Sequence, residues 1–503
     1  MSTDTQTRRA ARNFSALVVA SVFSKGLLFL WQIVLGNLFS PYEYGVYFTV
    51  LSLMSVTTVL IGMGMGIIVI REVARQPELA ARCWAIMLTL QTALAGAAYA
   101  LVVGLALIGG YEPAVVAFAA VASLSLIVDM FGNVSYDLLI AQEQMAFTSV
   151  VEVATILLRI GLAAWALSAG WGLLGVYGAT LLSGLLRSAA LTGFHLRAGL
   201  RPSFPVDRAL AWALLRDSFP LMVAALLAMS YQHADKLMTT AILNAQATGY
   251  LAPAYVITFG VIEVFNTTLL LATFPMLARS RDESPALFAM WVDRLSRFML
   301  LIALPIALSL SIFAEPFIHL LFSDRYNPTI PLLQLLIWAT LCMMMGNIFV
   351  RALLIQNRQH TSTLIRALCL GVNITLNAAL LYRYRDIRGT ALATLIAEVL
   401  SLVLLMLVLR LEAFSWRAHL KGVGRILLLG AVSAAAMLLA GGWHWTLGMA
   451  TGGLVYAAGL VWGRVLSADD WSFVYRFVGA LPLGTHIQSL WGRVARRPAS
   501  VLD

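Results

Sequence analysis

Charge is scarce in this chain. Of its 503 residues 24 are acidic and 34 basic, 12% in all, whereas 60% are hydrophobic and the mean hydropathy is +0.86. A soluble domain carries about a quarter of its residues charged, so water is excluded as the main solvent for most of this length. Cysteine is nearly absent too. Cys83, Cys342 and Cys369 lie in or beside apolar stretches with no ligand-like spacing, which excludes a disulfide framework and a zinc site. The seven histidines are scattered, and no metal is assigned. No GxxxxGK[ST] phosphate loop occurs, so ATP hydrolysis is not expected. The glycine runs Gly62-Met63-Gly64-Met65-Gly66 and Gly175 to Gly178 follow no strand, which argues against dinucleotide binding and for close helix packing; no cofactor is expected.

What is abundant is long apolar sequence. A hydrocarbon core about 30 Å thick takes roughly 20 apolar residues per helix, and runs of that length recur from Phe14 almost to Arg464. The first six are 14–38, 44–70, 83–108, 114–136, 146–168 and 171–194. Eight more follow at 218–243, 247–278, 294–313, 329–350, 361–382, 389–409, 424–441 and 446–463. Barrel strands would run about ten residues with strict alternation, which these lack. The fold class predicted is therefore all-α, a polytopic membrane protein of about fourteen transmembrane helices. Arg8, Arg9 and Arg12 precede a first run that contains Lys25 and has no clear small-residue cleavage site, which reads as a retained helix rather than a removed signal peptide.

Arginine placement sets the expected orientation. With a cytoplasmic N-terminus the basic clusters Arg8 to Arg12, Arg71 to Arg82, Arg187 to Arg216, Arg279 to Arg297, Arg351 to Arg366, Arg410 to Arg425 and the tail from Arg464 all face inward. Arg325, Arg383, Arg385 and Arg388 are the outside exceptions. Both termini are then cytoplasmic. The pI of about 9.7 follows from this topology and from anionic membrane lipids, and gives no reason to expect nucleic acid as a partner.

The chain also resembles itself. A shift of 204 residues lays Gly45 on Gly249 and Ala74-Arg75 on Ala278-Arg279. A shift of 214 lays Gly132-Asn133-Val134 on Gly346-Asn347-Ile348, Leu139 on Leu353, Gln142 on Gln356, and Gly175 with Ala179-Thr180-Leu181 on Gly389 with Ala393-Thr394-Leu395. Six helices separate the copies, so the repeat is parallel. The predicted organisation is an N-lobe at 1–194, a cytoplasmic linker at 195–217, a C-lobe at 218–411, two further helices at 412–464 and a cytoplasmic tail at 465–503. Two such lobes could rock in alternating access.

Ionisable groups at bilayer depth cost about 2.5–3.5 kcal/mol each on insertion scales, so each needs a partner or water. In the seventh span Gln232, His233, Asp235, Lys236, Thr239 and Thr240 form a polar stripe of roughly 160°. Lys25 and Gln32 share a face of the first, as do Asp129, Asn133 and Tyr136 in the fourth, Glu152, Thr155 and Arg159 in the fifth, and Glu263, Asn266 and Thr267 in the eighth. Either these groups line one hydrophilic chamber or they bond neighbouring helices as packing glue. No catalytic constellation emerges. The longest external loop, about 314–328, is too short to enclose an active site, which leaves a membrane polymerase or ligase as the weaker reading and the chain as not an enzyme.

The stretch Leu38-Phe39-Ser40-Pro41-Tyr42-Glu43-Tyr44-Gly45-Val46-Tyr47, the Asp235-Lys236 pair followed by Thr248-Gly249-Tyr250, and the Gln142 and Gln356 helix ends carry a family likeness. From about Asn13 to Arg464 the chain resembles the polysaccharide transporters, or O-antigen flippases, of the multidrug/oligosaccharidyl-lipid/polysaccharide exporter superfamily. The resemblance implies two six-helix lobes plus two helices in a bacterial inner membrane, and outward flipping of undecaprenyl-pyrophosphate-linked oligosaccharide, alongside polymerase and glycosyltransferase partners. On that reading Lys25, Arg159 and Lys236 would hold the pyrophosphate. Gln32, Asn133, Tyr136, Gln232, Asn266 and Thr267 would meet sugar hydroxyls, and Asp129, Asp235, Glu263 and Glu398 would be the candidates for ion coupling. A drug/cation antiporter or a lipid II flippase of the same superfamily are the alternatives.

Overall fold

The computed structural model describes residues 22–262, 268–411 and 414–462. The helices in chain order are α1 (Val22–Leu38), α2 (Pro41–Gly62), α3 (Met65–Arg75), α4 (Ala80–Ile108), α5 (Pro113–Ala122) and α6 (Leu124–Ala141). Next come α7 (Met145–Ser168), α8 (Gly172–Arg197), α9 (Arg208–Ile242), α10 (Ala245–Ile262), α11 (Thr268–Glu283) and α12 (Pro285–Ile312). The series ends with α13 (Ala314–Leu321), α14 (Ile330–Ile355), α15 (Gln359–Tyr384), α16 (Arg388–Val408), α17 (Trp416–Gly441) and α18 (Trp445–Trp462). There is no strand among the described residues, and eleven of the spans are long and apolar enough to cross a bilayer. Each of the fourteen apolar runs overlaps at least one of these helices, and the protein is an all-α, multi-pass membrane protein. Arg8, Arg9, Arg12, the expected tail at 465–503 and residues 412–413 lie outside the described residues.

Local sequence explains where the helices start and where they depart from expectation. Ser-Pro-Tyr-Glu at 40–43 forms a capping box, in which Ser40 Oγ accepts from the Glu43 amide at 3.2 Å and Glu43 Oε2 accepts from the Ser40 amide at 2.9 Å, with Pro41 in the first turn. The expected run 44–70 is not one helix. Met63 and Gly64 take left-handed backbone angles (φ 46° and 72°), which no helix accommodates, and the chain restarts as α3. The glycine run therefore marks a break as well as a packing surface. The linker is shorter than expected because Asp207 Oδ1 accepts from the amides of Ala209 and Leu210 and starts α9 at Arg208. Arg187, grouped with the inward-facing loop residues on sequence, instead lies in the middle of α8. In the loop after α4, the Tyr111 hydroxyl donates to the Leu237 carbonyl at 3.2 Å, and burial pushes its pKa up to about 12, which keeps it a donor.

Residues 204 apart make matched contacts. A Cβ on Gly45 would fall 1.7 Å from the Ala245 carbonyl oxygen, and one on Gly249 would fall 1.6 Å from that of Pro41. Pro41 and Ala245 are themselves 204 apart, so α2 and α10 cross as equivalent partners, at a distance only glycine allows. The Tyr44 hydroxyl donates to the Gln32 carbonyl at 2.9 Å, and at the equivalent positions Thr248 Oγ1 donates to the Lys236 carbonyl at 3.2 Å. The 214 shift matches turns. After α6, Glu143 is left-handed (φ 60°) and Gln144 donates to the Leu139 carbonyl; after α14, Asn357 is left-handed (φ 58°) and Arg358 donates to that of Leu353. Both are Schellman endings.

Internal packing divides the chain into two compact units. Among the described residues one comprises 22–262, 315–340 and 359–404, the other 268–314, 341–358, 405–411 and 414–462. The second is centred on α12, α17 and α18: Tyr456 donates to the Leu301 carbonyl at 2.9 Å, Ser433 to the Gly452 carbonyl at 2.8 Å, and buried His419 meets Asp293 at 2.7 Å, which also binds Arg297. The first unit holds the clusters described next.

Candidate functional site

The polar stripe of α9 turns its carboxylate toward three other helices. Asp235 is 3% exposed; its Oδ1 accepts from Asn377 Nδ2 of α15 at 3.0 Å, and its Oδ2 accepts from Thr394 Oγ1 of α16 at 2.7 Å and from the Tyr255 hydroxyl of α10. Thr390 Oγ1 donates to Asn377 Oδ1 at 3.0 Å and pairs with Thr239 at 3.0 Å, which orients the Asn377 amide toward the carboxylate. Three donors on one carboxylate fit its acceptor capacity and neutralise much of its cost of burial. A proton or a small cation is the kind of species that could exchange for such donors.

Lys236 meets the face of the same tyrosine. It is 2% exposed, its Nζ donates to the Gln232 carbonyl at 2.7 Å, and it lies 4.2 Å from the centre of the Tyr255 ring and 5.5 Å from that of Phe259. Aromatic faces thus replace water around the ammonium. Glu398, 7% exposed, lies one turn after Thr394 on α16 beside Tyr231. A hydroxyl chain joins the helices at this level: Thr49 of α2 pairs with Thr240 at 2.6 Å, Thr240 with Thr248 of α10 at 2.6 Å, and His233 Nδ1 meets Ser52 Oγ at 3.0 Å.

A second cluster joins α6, α7 and α8. Arg187 places Nε 2.7 Å and Nη2 2.6 Å from Glu152 Oε1, donates from Nη1 to Asn133 Oδ1 at 3.0 Å, and lies 5.8 Å from the Tyr136 ring centre. Gly132 opens the way for it, since a Cβ there would come within 2.6 Å of Nη1. Close by, Asp129 Oδ1 packs on Gly184 and Arg159 Nε donates to Ser183 Oγ at 3.3 Å; among the described residues the terminal nitrogens of Arg159 donate no hydrogen bond. Because Arg187 is mostly buried and its inner edge is saturated by Glu152, Glu152→Ala is expected to destabilise the fold by about 2 kcal/mol. Thermal unfolding in detergent checks this, and a Glu152→Gln/Arg187→Lys double-mutant cycle with no coupling between the two sites would contradict the pairing.

The three cations expected to act together occupy different settings. Lys25 is exposed on α1, Arg159 is half-buried on α7, and Lys236 is enclosed on α9. Helix α2 stands between the last two: Tyr47, beside Arg159, stacks on Tyr177 of α8 with ring centres 6.2 Å apart, while Thr49, 200° further round the helix, bonds Thr240. Gln32 and Gln232 are half-buried, and the bonds they accept from Tyr44 and Lys236 are to their backbone carbonyls. Asn133 and Tyr136 gather on Arg187, Asp129 on Gly184, and Asp235 and Glu398 fall near each other. Glu263, Asn266 and Thr267 lie outside the described residues. Sequence reasoning missed Arg187, Tyr255 and Asn377 as cluster members. The repeat of Asn373 and Asn377 at i, i+4 in an apolar helix was the signal for Asn377; nothing local marks Tyr255.

Comparison with known proteins bears on the fold. A family model described as "Polysaccharide biosynthesis protein" matches residues 34–331. No curated protein matches in sequence. Among solved structures the chain is similar to a lipid II flippase, MurJ, in an inward closed conformation (TM-score 0.74, 14% identity, 90% of this chain and 99% of that one). It is similar also to a multidrug resistance MATE family transporter of the MOP superfamily in its inward-facing conformation (TM-score 0.61, 15% identity, covering 78% and 97%). An outward-facing structure of such a transporter gives 0.53 at 16% identity, covering 78% and 94%. At these identities the likeness is one of fold.

Proposed function

This chain belongs to the polysaccharide biosynthesis protein family, and from that membership we propose that it flips undecaprenyl-pyrophosphate-linked oligosaccharide repeat units outward across a bacterial inner membrane by alternating access. A sugar head group cannot cross about 30 Å of hydrocarbon alone, because its hydroxyls would lose their hydrogen bonds to water. The observation that carries the reading is the cluster around Arg159, a cation between membrane-spanning helices near the Asp129 carboxylate, whose terminal nitrogens donate no hydrogen bond among the described residues. Such a guanidinium suits a pyrophosphate, with Lys25 as a second contact. Lys236 adds its charge in the state in which α10 has moved off α9, and the same movement opens Asp235 to H⁺ or Na⁺, with Glu398 beside it. Both termini face the cytoplasm in this reading, and glycosyltransferases and a polymerase supply and consume the cargo.

The test is flipping in proteoliposomes loaded with a fluorescent lipid-linked oligosaccharide and read by an impermeant sugar-oxidising reagent. Arg159→Ala combined with Lys25→Ala is expected to slow flipping at least tenfold while insertion is preserved. Wild-type rates in the double variant would remove both residues from the mechanism. The fold shared with a lipid II flippase makes lipid II the second cargo to assay, since it presents the same pyrophosphate chemistry.

A further inference from the structure

Away from both clusters, a cavity of about 570 Å³ opens at the end of the bundle where α1 gives way to α2 and α7 to α8. That volume falls among small-molecule sites. Its lining combines the aromatic Tyr42, Phe118 and Trp171 with the polar Ser40 and Glu43, and includes the turn Gly170–Gly172. Gly170 and Gly172 both take left-handed angles (φ 80° and 52°), and a Cβ on either would meet nothing within 4 Å, so the turn is open to a ligand. Trp165 meets Trp171 edge-on at 5.3 Å, which fixes the Trp171 ring while leaving that residue 57% exposed.

We propose that this cavity binds a sugar ring of the exported glycan, as a subsite separate from the one that holds the pyrophosphate. The inference rests on the flippase reading and adds to it where the carbohydrate is recognised. A pyranose is amphipathic: its C–H face packs on flat aromatic rings, and its hydroxyls need fixed acceptors at the edge. Both are here. Glu43 is held by the capping box, which uses Oε2 alone; Oε1 makes no hydrogen bond among the described residues and is left as a rigid acceptor. The same carboxylate argues against the phosphate end of the cargo, which it would repel. A hydrocarbon chain fits no better, since it would desolvate the Glu43 carboxylate while offering Oε1 no donor. With the arginine-based topology this end of the bundle faces outward, so the subsite would take the sugar as it leaves the membrane.

The experiment is saturation-transfer NMR on the full-length protein in nanodiscs, with millimolar glucose, galactose, mannose, rhamnose and N-acetylglucosamine, and inorganic pyrophosphate monitored by phosphorus NMR. At least one sugar is expected to receive saturation. The signal should fall at least fivefold in Trp171→Leu, which keeps an apolar side chain but no ring, and about threefold in Glu43→Gln, which preserves the cap. Trp462→Leu, an exposed residue on α18, should leave it unchanged, and pyrophosphate binding should not respond to Trp171→Leu. Absence of any Trp171-dependent sugar signal would overturn the proposal and leave Trp171 as an interfacial anchor. Flipping by the wild-type protein is scored in parallel: if it moves lipid-linked oligosaccharide while the sugar signal is absent, only the subsite fails, and if it moves none, the function itself fails.

Discussion

Asp235→Ala is expected to abolish flipping and to destabilise the protein by about 3–5 kcal/mol, the cost of breaking a buried charged network from one side. Three hydrogen bonds to a charged acceptor contribute about 1.5–3 kcal/mol each, which outweighs an insertion cost of about 2.5–3.5 kcal/mol. Removing the acceptor strands Tyr255, Asn377 and Thr394, and it leaves buried Lys236 without the negative charge next to it in the chain. Asp235→Asn separates the two consequences. The amide can still accept hydrogen bonds, so folding should largely recover, whereas flipping should not if the carboxylate takes up the coupling ion. Thermal stability in detergent and flipping under imposed H⁺ and Na⁺ gradients measure both. An Asp235→Asn protein with wild-type rate and wild-type ion dependence would rule the carboxylate out of coupling.

Joining Thr49 to Thr240 by a disulfide should stop transport reversibly. The two Oγ1 atoms are 2.6 Å apart between α2 and α9, so cysteines at these positions would bring their sulfurs within reach of each other. In a background where Cys83, Cys342 and Cys369 are replaced, Thr49→Cys/Thr240→Cys is expected to lose at least nine-tenths of its flipping on oxidation and to regain it with reductant. Alternating access requires the N-terminal helices to part from α9 and α10. Interdigitated carbonyls at Gly45 and Gly249 prevent α2 from sliding along α10, so the crossing must open as a unit. Full activity in protein shown to be cross-linked would mean that this contact stays closed throughout the cycle.

Much of this was legible in the chain. Apolar run length located the helices to within a few residues in most cases, because hydrocarbon leaves a backbone almost no option but helix. The Gly45 and Gly249 match was readable too, because the shift of 204 residues lays one on the other along the chain. The Met63–Gly64 break was not readable, because a glycine-rich run in an apolar helix reads equally well as packing. Arg187 was misplaced because its distance from a helix end says less about its environment than Glu152 does, 35 residues earlier in the chain.

Composition and periodicity by themselves determined that the protein is a helical membrane bundle with a doubled plan, since both follow from the bilayer as solvent and from residues spaced along one chain. Only the tertiary structure decided which charges meet: that Lys236 is closed over by Tyr255, that Asp235 draws donors from α10, α15 and α16, and that Arg159 stands on the far side of α2 from both. Those outcomes depend on rotation and crossing of helices tens to hundreds of residues apart, and a sequence carries that information only through the sum of all its packing contacts.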